Sequence, residues 1–313
     1  MKNINASITA VGSFLPEKIL SNTDLEKIVD TNDEWITSRT GIKERRILDK
    51  GIGTSHMAIQ AANAIIESKK LDPLEIDLVI VATITPDMHA TATAAYVASE
   101  IGASNAFGFD ISAACSGFLY GMSTASAFIE SGRYKKIILI GADKMSSIVD
   151  YSDRNTCIIF GDGAGAVLLE PDYEGYGVQD EYLRSNGSNR NLLRIEAGGS
   201  QTPTTKESVE EKKHFIYQDG KNVFKHAVSN MSDASEQIMN RNNLTPLDVN
   251  YLVAHQANKR IIDATSNRMG IKDEKVLMNI HRYGNTTAAT IPLLLFDFES
   301  KFIMASMRAS NLY

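Results

Sequence analysis

Cysteine and tryptophan are scarce in this chain of 313 residues, which contains two cysteines and one tryptophan. Cys115 and Cys157 form no C-x-x-C pair and have no nearby Cys/His cluster of the zinc-binding kind, so neither a disulfide framework nor a structural metal is predicted. A lone cysteine among small residues is most often a small buried hydrophobe. Any catalytic role for Cys115 has to be weighed against that interpretation.

The chain also lacks long apolar runs and any excess of basic residues. No segment approaches the roughly 18 uninterrupted apolar residues that a membrane span needs, and no apolar run follows a basic patch at the start. We therefore expect a cytoplasmic protein with no membrane partner. A net charge of −6 argues against a nucleic-acid partner, so an anionic partner must meet a local basic patch. With 43% hydrophobic residues, the chain can bury a large core.

The sequence contains an internal repeat. Residues 71–82 (LDPLEIDLVIVA) reappear 173 positions later as residues 244–255 (LTPLDVNYLVAH). Each copy begins with an X-Pro turn and continues as an apolar run, the pattern of a strand buried on both faces of a sheet. Apolar residues at helical spacing precede each copy, which predicts one helix capped by Thr54 or Ser55 and another around residues 231–239. The repeating unit is helix, turn and buried strand.

A second element recurs after each strand, where a short apolar run gives way to small residues that open a helix, at residues 106–117 and 276–289. A period near 170 residues is far longer than the roughly 20 to 50 residues of a solenoid repeat and indicates duplication of a whole α/β half. We predict an α/β fold with halves at residues 1–175 and 176–313, related by an approximate twofold axis. Such an axis brings the ends of corresponding strands together.

Cys115 lies in residues 112–117 (SAACSG), between a strand-like run and a predicted helix at residues 118–129. Backbone N–H groups and the positive end of a helix dipole at such a corner favour a thiolate, and the same N–H groups can hold an oxyanion. Taken alone, these residues leave the catalytic interpretation and the buried-hydrophobe interpretation equally open.

His255 ends the second predicted strand, and Asn285 lies in the stretch YGNTT. A histidine there is often a hydrogen-bonded core residue, and an asparagine before a small-residue helix is often a cap. Strand ends are also where α/β proteins keep their sites, and the repeat brings both residues near Cys115.

Residues 160–166 (FGDGAGA) fit a dinucleotide fingerprint, but the run that follows them predicts a strand rather than a helix. We expect these glycines to permit a tight turn and close packing, with no nicotinamide or flavin site.

Together these segments resemble β-ketoacyl-acyl carrier protein synthase III, the initiating condensing enzyme of bacterial fatty-acid synthesis, which has the thiolase fold. The resemblance runs from residue 6 to about residue 298 and is carried by residues 31–46 (TNDEWITSRTGIKERR), 110–118 (DISAACSGF), 160–166 (FGDGAGA), 255–258 (HQAN) and 283–286 (YGNT). It implies two α/β halves in a layered αβαβα arrangement with pseudo-twofold symmetry. It also implies a catalytic set of Cys115, His255 and Asn285.

By this resemblance, Cys115 attacks an acyl-coenzyme A thioester, coenzyme A leaves, and malonyl-acyl carrier protein enters the same site. Loss of carbon dioxide leaves an enolate, which attacks the acyl-cysteine. His255 and Asn285 are residue types that can donate hydrogen bonds to the thioester oxygen as it gains charge. A covalent acyl-enzyme predicts ping-pong kinetics. The resemblance implies a homodimer and no cofactor or metal, since coenzyme A is a substrate.

The resemblance places coenzyme A contacts at six positions: Trp35, Arg39, Thr40, Arg154, Phe224 and Asn258. The ring of Trp35 would stack on adenine. Without the resemblance, Trp35 and Phe224 would be interpreted as packing residues and Arg39 as part of a solvated charge run. Lys225 and Arg260 match positions where the family meets its acidic carrier protein, as a basic patch on an acidic protein.

Ala90 stands where the family often has a phenylalanine that closes the acyl pocket from the neighbouring subunit, which predicts room for a longer or branched primer. Asn155 replaces a common glycine beside Arg154.

Residues 301–313 stand where the family continues through a Gly-rich loop that supplies an oxyanion-hole N–H. This departure leaves two alternatives to the synthase: a non-catalytic scaffold or partner of the same fold, and an acyl transferase or thioesterase on that fold.

Overall fold

A computed structural model describes residues 4–299. Its strands are β1 (Asn5–Phe14), β2 (Ile19–Ser21), β3 (Glu44–Arg46), β4 (Leu78–Ala82), β5 (Phe107–Ile111), β6 (Ile137–Asp143), β7 (Gly163–Asp172), β8 (Leu193–Ile195) and β9 (Ile216–Gln218). Its α-helices are α1 (Asn22–Leu25), α2 (Asp33–Thr40), α3 (Thr54–Lys69), α4 (Thr93–Glu100), α5 (Gly117–Glu130), α6 (Arg154–Cys157), α7 (Lys206–Glu210), α8 (Gly220–Arg241), α9 (Lys259–Met269), α10 (Ile280–Tyr283) and α11 (Thr290–Asp297).

A five-stranded mixed sheet in the order β1-β7-β6-β4-β5 forms the centre of the first half. Strand β4 runs parallel to both β5 and β6, whereas β7 is antiparallel to β6 and β1. Every residue of β4 and β6 is buried, as expected of apolar runs covered on both faces. The strand predicted for the first copy of the repeat and the one predicted after the glycine motif are both confirmed.

Two helical layers cover this sheet. Helices α3 and α4 pack on one face against alternate strand residues such as Val79 and Ile138. Helices α5 and α11 pack on the other face against the intervening residues, including Ile80 and Leu139. Full burial of such a side chain stabilises the fold by about 1.5–3 kcal/mol. The face bearing α5 and α11 carries the functional corner described below.

Both helices predicted before the repeated strands are present, as α3 and α8. The predicted cap of α3 is wrong. The N-cap residue is Gly53, which has no side chain to accept a capping hydrogen bond. The Thr54 hydroxyl instead donates to the Thr85 carbonyl, and Ser55 bonds the Asp87 carboxylate. Both side chains thus join the helix to the loop after β4.

The strand predicted for the second copy of the repeat is reduced to a single parallel bridge between Leu252 and Val276. The Leu252 N–H donates to the Lys275 carbonyl, and the Leu277 N–H donates to the Leu252 carbonyl. An apolar run shows that a segment is suited to a sheet, but it does not show how many neighbours pair with it.

The predicted boundary between residues 1–175 and 176–313 stays a prediction, and residues 300–313 lie outside the described part. Within residues 4–299, no helix combines the length and apolar character needed to cross a membrane.

Candidate active site

Cys115 occupies a tight corner between β5 and α5, in a short 3₁₀ helix at residues Ala114–Ser116. Ala114, just before it, has a φ of 46°, a left-handed conformation that costs a non-glycine residue roughly 1–2 kcal/mol. Gly117, the first residue of α5, is closely packed, because an added Cβ would lie 3.0 Å from the Ala82 Cβ. The strained, close-packed corner holds Cys115 at the start of α5.

A second corner of the same construction precedes α11, with a 3₁₀ helix at Thr287–Ala289 and a φ of 54° at Thr287. Thr287 and Ala114 are 173 positions apart, as are the first residues of α11 and α5. The spacing of the sequence repeat thus extends to backbone geometry. The two corners also meet, since a Cβ added to Gly117 would lie 3.7 Å from the Ala288 Cβ.

Asn285 is fixed by its backbone and by its side chain. Its N–H donates to the Ile159 carbonyl at 3.0 Å, and its carbonyl accepts from Gly161 at 3.1 Å. Its Oδ1 accepts from the Thr287 N–H at 2.9 Å. The Asn285 side chain lies close enough to the Cys115 thiol to lower its pKa, against the larger effect of burial. The catalytic roles predicted for these two residues stay predictions.

The glycine motif supports this arrangement by allowing close approach. A side chain on Gly161 would clash with the Tyr283 carbonyl, and one on Gly165 would lie 2.7 Å from the Leu293 nitrogen of α11. These contacts confirm close backbone packing as the role of the glycines. Asp162, between them, is buried and accepts hydrogen bonds from Leu48 and Ser146.

His255 lies beyond the Leu252 bridge and reaches the second corner. Its Nδ1 is 2.6 Å from the hydroxyl of Thr290, the first residue of α11. Its Nε2 is buried and has no hydrogen-bond partner among residues 4–299. Burial lowers the pKa of His255 to about 4, so the ring is neutral near pH 7. A neutral ring with one unsatisfied nitrogen is suited to bind a polar group of a substrate.

The Cys115 thiol differs from the sequence expectation in its acidity. Loss of water around the sulfur, and then the Asp143 carboxylate, raise the pKa of Cys115 to about 12, against the opposing hydrogen bond from Asn285. The predicted lowering at the corner is therefore wrong for the free protein, because desolvation outweighs the local N–H groups. The resting form is the thiol.

Asp143, at the end of β6, is a site residue that sequence reasoning missed. Its buried carboxylate accepts from the Thr83 and Thr85 hydroxyls and from the N–H groups of Ile84 and Ala288. It thereby joins the ends of β4 and β6 to the second corner. Burial raises the pKa of Asp143 to about 6. The sequence did contain a signal for Asp143, because an aspartate at the end of an otherwise apolar strand is buried there and needs hydrogen-bond donors around it.

Four of the residues predicted to contact coenzyme A form one cluster on the surface. The Arg154 guanidinium lies 4.8 Å from the centre of the Trp35 ring, and that of Arg39 lies 6.0 Å from it. Asn258 is adjacent, because its side chain donates to the Arg39 carbonyl at 3.0 Å. Thr40 is buried, and its hydroxyl donates to the Ile36 carbonyl at the end of α2. Its predicted contact with coenzyme A stays a prediction.

The remaining predicted residues lie on surface elements. The Arg260 guanidinium stacks on the Phe224 ring at 4.9 Å, which joins α9 to α8, and Lys225 is exposed beside them. Ala90 lies on the exposed loop between β4 and α4 with a φ of 76°. Asn155 donates to the Asp153 carboxylate at the start of α6.

Comparison with known proteins gives two family matches, described as 3-oxoacyl-[acyl-carrier-protein] synthase III over residues 109–187 and its C-terminal part over residues 239–302. The β-ketoacyl-[acyl-carrier-protein] synthase III of Chlorobaculum tepidum is 56% identical, with 95% of this chain and 92% of the relative covered. A solved synthase III structure from Aquifex aeolicus VF5 has a TM-score of 0.87 and 40% identity, covering 95% of this chain and 91% of that one.

The chain belongs to the β-ketoacyl-acyl carrier protein synthase III family. It is an acyl-transferring condensing enzyme of the thiolase fold that initiates fatty-acid synthesis. A further synthase III structure, from Pseudomonas aeruginosa PAO1, matches with a TM-score of 0.85 at 38% identity, covering 96% of this chain and 90% of that one. The family predicted from the sequence motifs is thus confirmed.

Proposed function

We propose that this synthase III joins an acyl-coenzyme A primer to malonyl-acyl carrier protein through an acyl-Cys115 intermediate. The observation that carries the proposal is the grouping of three side chains. The Asn285 side chain interacts with the Cys115 thiol, and the corner beside them is bonded to His255, whose Nε2 has no hydrogen-bond partner among residues 4–299.

In the first half-reaction, the Cys115 sulfur attacks the thioester carbonyl of the primer. The sulfur–carbonyl bond forms, the bond to the coenzyme A sulfur breaks, and the Cys115 proton ends on the departing thiol. The thiol is the resting form, so its proton leaves as the carbonyl is attacked. We assign the oxyanion that forms to backbone N–H groups at the Cys115 corner.

In the second half-reaction, malonyl-acyl carrier protein loses carbon dioxide, and the electron pair of the broken bond forms an enolate. Its carbon attacks the acyl-cysteine carbonyl, the bond from that carbonyl to the Cys115 sulfur breaks, and the released thiolate takes a proton from water to restore the thiol. The Asn285 amide and His255 Nε2–H stabilise the enolate oxygen, where negative charge develops. Both groups are neutral near pH 7, and neither has to transfer a proton to do this.

Coenzyme A binding is assigned to the cluster of Trp35, Arg39, Arg154 and Asn258, with Phe224 beside it. Two guanidinium groups near an aromatic ring suit a ligand that carries an adenine ring and phosphates. Lys225 and Arg260 are assigned to the acidic carrier protein, for which two adjacent cations are suited. The cytoplasmic location and the absence of a cofactor stay predictions.

A homodimer is proposed from the free edge of the central sheet. Among the described strands, β5 pairs on one side only, and its Phe107 is 41% exposed. The Phe107 ring contacts three other rings, Phe109, Phe128 and Tyr134. An exposed aromatic edge strand is well suited to pair with a second copy of the chain. The acyl pocket of each subunit would then receive the loop that contains Ala90 from the other.

The test is product formation from an acyl-coenzyme A panel with malonyl-acyl carrier protein, followed by mass spectrometry of the carrier protein. We expect a β-ketoacyl product that disappears in Cys115→Ala. Acylation followed only by hydrolysis would instead favour an acyl transferase or thioesterase, and the absence of any adduct would favour a non-catalytic scaffold.

A further inference from the structure

The hydroxyl of Thr290 makes the hydrogen bond that fixes the His255 ring. Thr290 is 2% exposed and is the first residue of α11. Its Oγ1 lies 2.6 Å from His255 Nδ1 and 3.2 Å from the Thr287 carbonyl oxygen. The hydroxyl has one proton to donate, and two acceptors compete for it. The acceptor that receives this proton decides where the single proton of the neutral His255 ring lies.

The two distances assign the proton. Hydrogen bonds donated by a hydroxyl are usually about 2.5–3.0 Å long, whereas those donated by an N–H group are usually about 2.7–3.2 Å. A length of 2.6 Å therefore fits Thr290 as the donor and His255 Nδ1 as the acceptor, and 3.2 Å is long for a hydroxyl donating to a carbonyl. With Nδ1 acting as an acceptor, the ring proton lies on Nε2, the atom that has no partner in the described part of the chain.

The internal repeat shows that this pair is a special feature of the second half. The positions that correspond to Thr290 and His255, 173 residues earlier, are Gly117 and Ala82. These two residues are also close together, at the start of α5 and the end of β4, since a Cβ added to Gly117 would lie 3.0 Å from the Ala82 Cβ, but neither has a polar side chain. The junction between helix and strand is therefore formed by two small residues without polar side chains in the first half, and by a hydrogen-bonded pair of polar side chains in the second half.

We propose that Thr290 is a positioning residue that holds His255 with its proton on Nε2, so that this N–H is available to the malonyl thioester oxygen. The inference rests on the function proposed above and deepens it. If the proton lay on Nδ1, the lone pair of His255 Nε2 would face the developing negative charge on the thioester oxygen. Of the two side-chain donors His255 and Asn285, Asn285 alone would then donate a hydrogen bond to that oxygen. Acyl transfer to Cys115 does not use the Nε2–H donor.

The test measures the two half-reactions separately in four proteins. Thr290→Val removes the hydroxyl and keeps the shape, and Thr290→Ser restores a hydroxyl. Thr265→Val is the matched control, because Thr265 is a buried threonine whose hydroxyl donates to the Ile261 carbonyl within α9. The first assay follows acylation of Cys115 by intact mass, and the second follows condensation of the pre-acylated enzyme with malonyl-acyl carrier protein.

We expect Thr290→Val to lower the condensation rate by about 10-fold to 100-fold, somewhat less than the loss of a complete oxyanion donor, with acylation changed less than about threefold. Thr290→Ser should recover most of the condensation rate, and Thr265→Val should change neither assay. Equal losses in both half-reactions of Thr290→Val, or an undiminished condensation rate, would overturn the inference.

Nitrogen-15 NMR of the histidine rings provides a readout independent of activity, with the His255 signal identified by its loss in His255→Gln. We expect wild-type His255 to be protonated on Nε2, and Thr290→Val to give a mixture of the two tautomers. A wild-type ring protonated on Nδ1 would refute the inference even if condensation proceeds. Failure of the wild-type enzyme to acylate or condense would instead reject the proposed function.

Discussion

The pKa of the Cys115 thiol sets how this residue reacts before a substrate is bound. Burial and the Asp143 carboxylate raise that pKa to about 12, so the thiolate is a small minority at pH 7. We predict that alkylation of Cys115 by iodoacetamide speeds up about tenfold per pH unit between pH 7 and 9, because the thiolate is the reacting form. The measurement uses the Cys157→Ala variant, in which Cys115 is the one thiol that can be alkylated. A rate that levels off below pH 8 would contradict this assignment.

Asp143 provides a second prediction at the scale of a single residue. Its pKa is about 6 in the folded protein and 3.8 for an unperturbed carboxyl, so the folded state binds the proton more tightly. This contribution to stability is present at low pH and is lost as the pH rises from about 4 to about 6.

The measurement for Asp143 is the free energy of unfolding of wild type and Asp143→Asn at pH 4.5 and pH 7.5, by chemical denaturation. The advantage of wild type over the variant should be larger at pH 4.5 by about 2 kcal/mol. An advantage that is larger at pH 7.5 would show that the ionised carboxylate is the favoured form.

At the scale of elements, the two strained corners depend on a close approach between β6 and the 3₁₀ helix that precedes α11. An added Cβ on Gly141 would clash with the Ala288 carbonyl, so the strand and the corner would have to separate. We predict that Gly141→Ala lowers the free energy of unfolding by roughly 1–3 kcal/mol and slows condensation, because the corner carries Thr290 and follows Asn285. Gly199→Ala, at a site with open space, is the control. Equal stability of the two variants would refute this role for the corner.

Much of the element pattern could be predicted from the sequence, because β4, α3, α5 and α8 follow local periodicity. The second repeated strand could not, since its pairing depends on neighbours that its own residues do not specify. The same limit applies within the site. The repeat brought Cys115 and Asn285 together, but the bonds of Asp143 to Ala288 and of Thr290 to His255 link segments 145 and 35 residues apart. Periodicity and motif spacing do not report such pairs.

At the scale of the whole molecule, the loop that contains Ala90 connects substrate choice with assembly. Ala90 is exposed in a left-handed conformation and is assigned to the acyl pocket of a partner subunit. We predict that Ala90→Phe slows acylation by the longest accepted primers about tenfold or more while sparing the shortest, because the larger ring shortens the pocket. Ala90→Gly, which suits the observed φ, should keep the wild-type range. Unchanged rates for long primers in Ala90→Phe would remove this residue from the pocket.

The central claim for the whole molecule is that the enclosed Cys115 thiol is the acyl acceptor of a condensing enzyme. Intact mass spectrometry after incubation with acyl-coenzyme A thioesters of increasing chain length tests it most directly. We predict a single adduct equal to the acyl group, located at Cys115 by peptide mapping, absent in Cys115→Ala and retained in Cys157→Ala. No adduct from any primer, or an adduct that persists in Cys115→Ala, would contradict the claim.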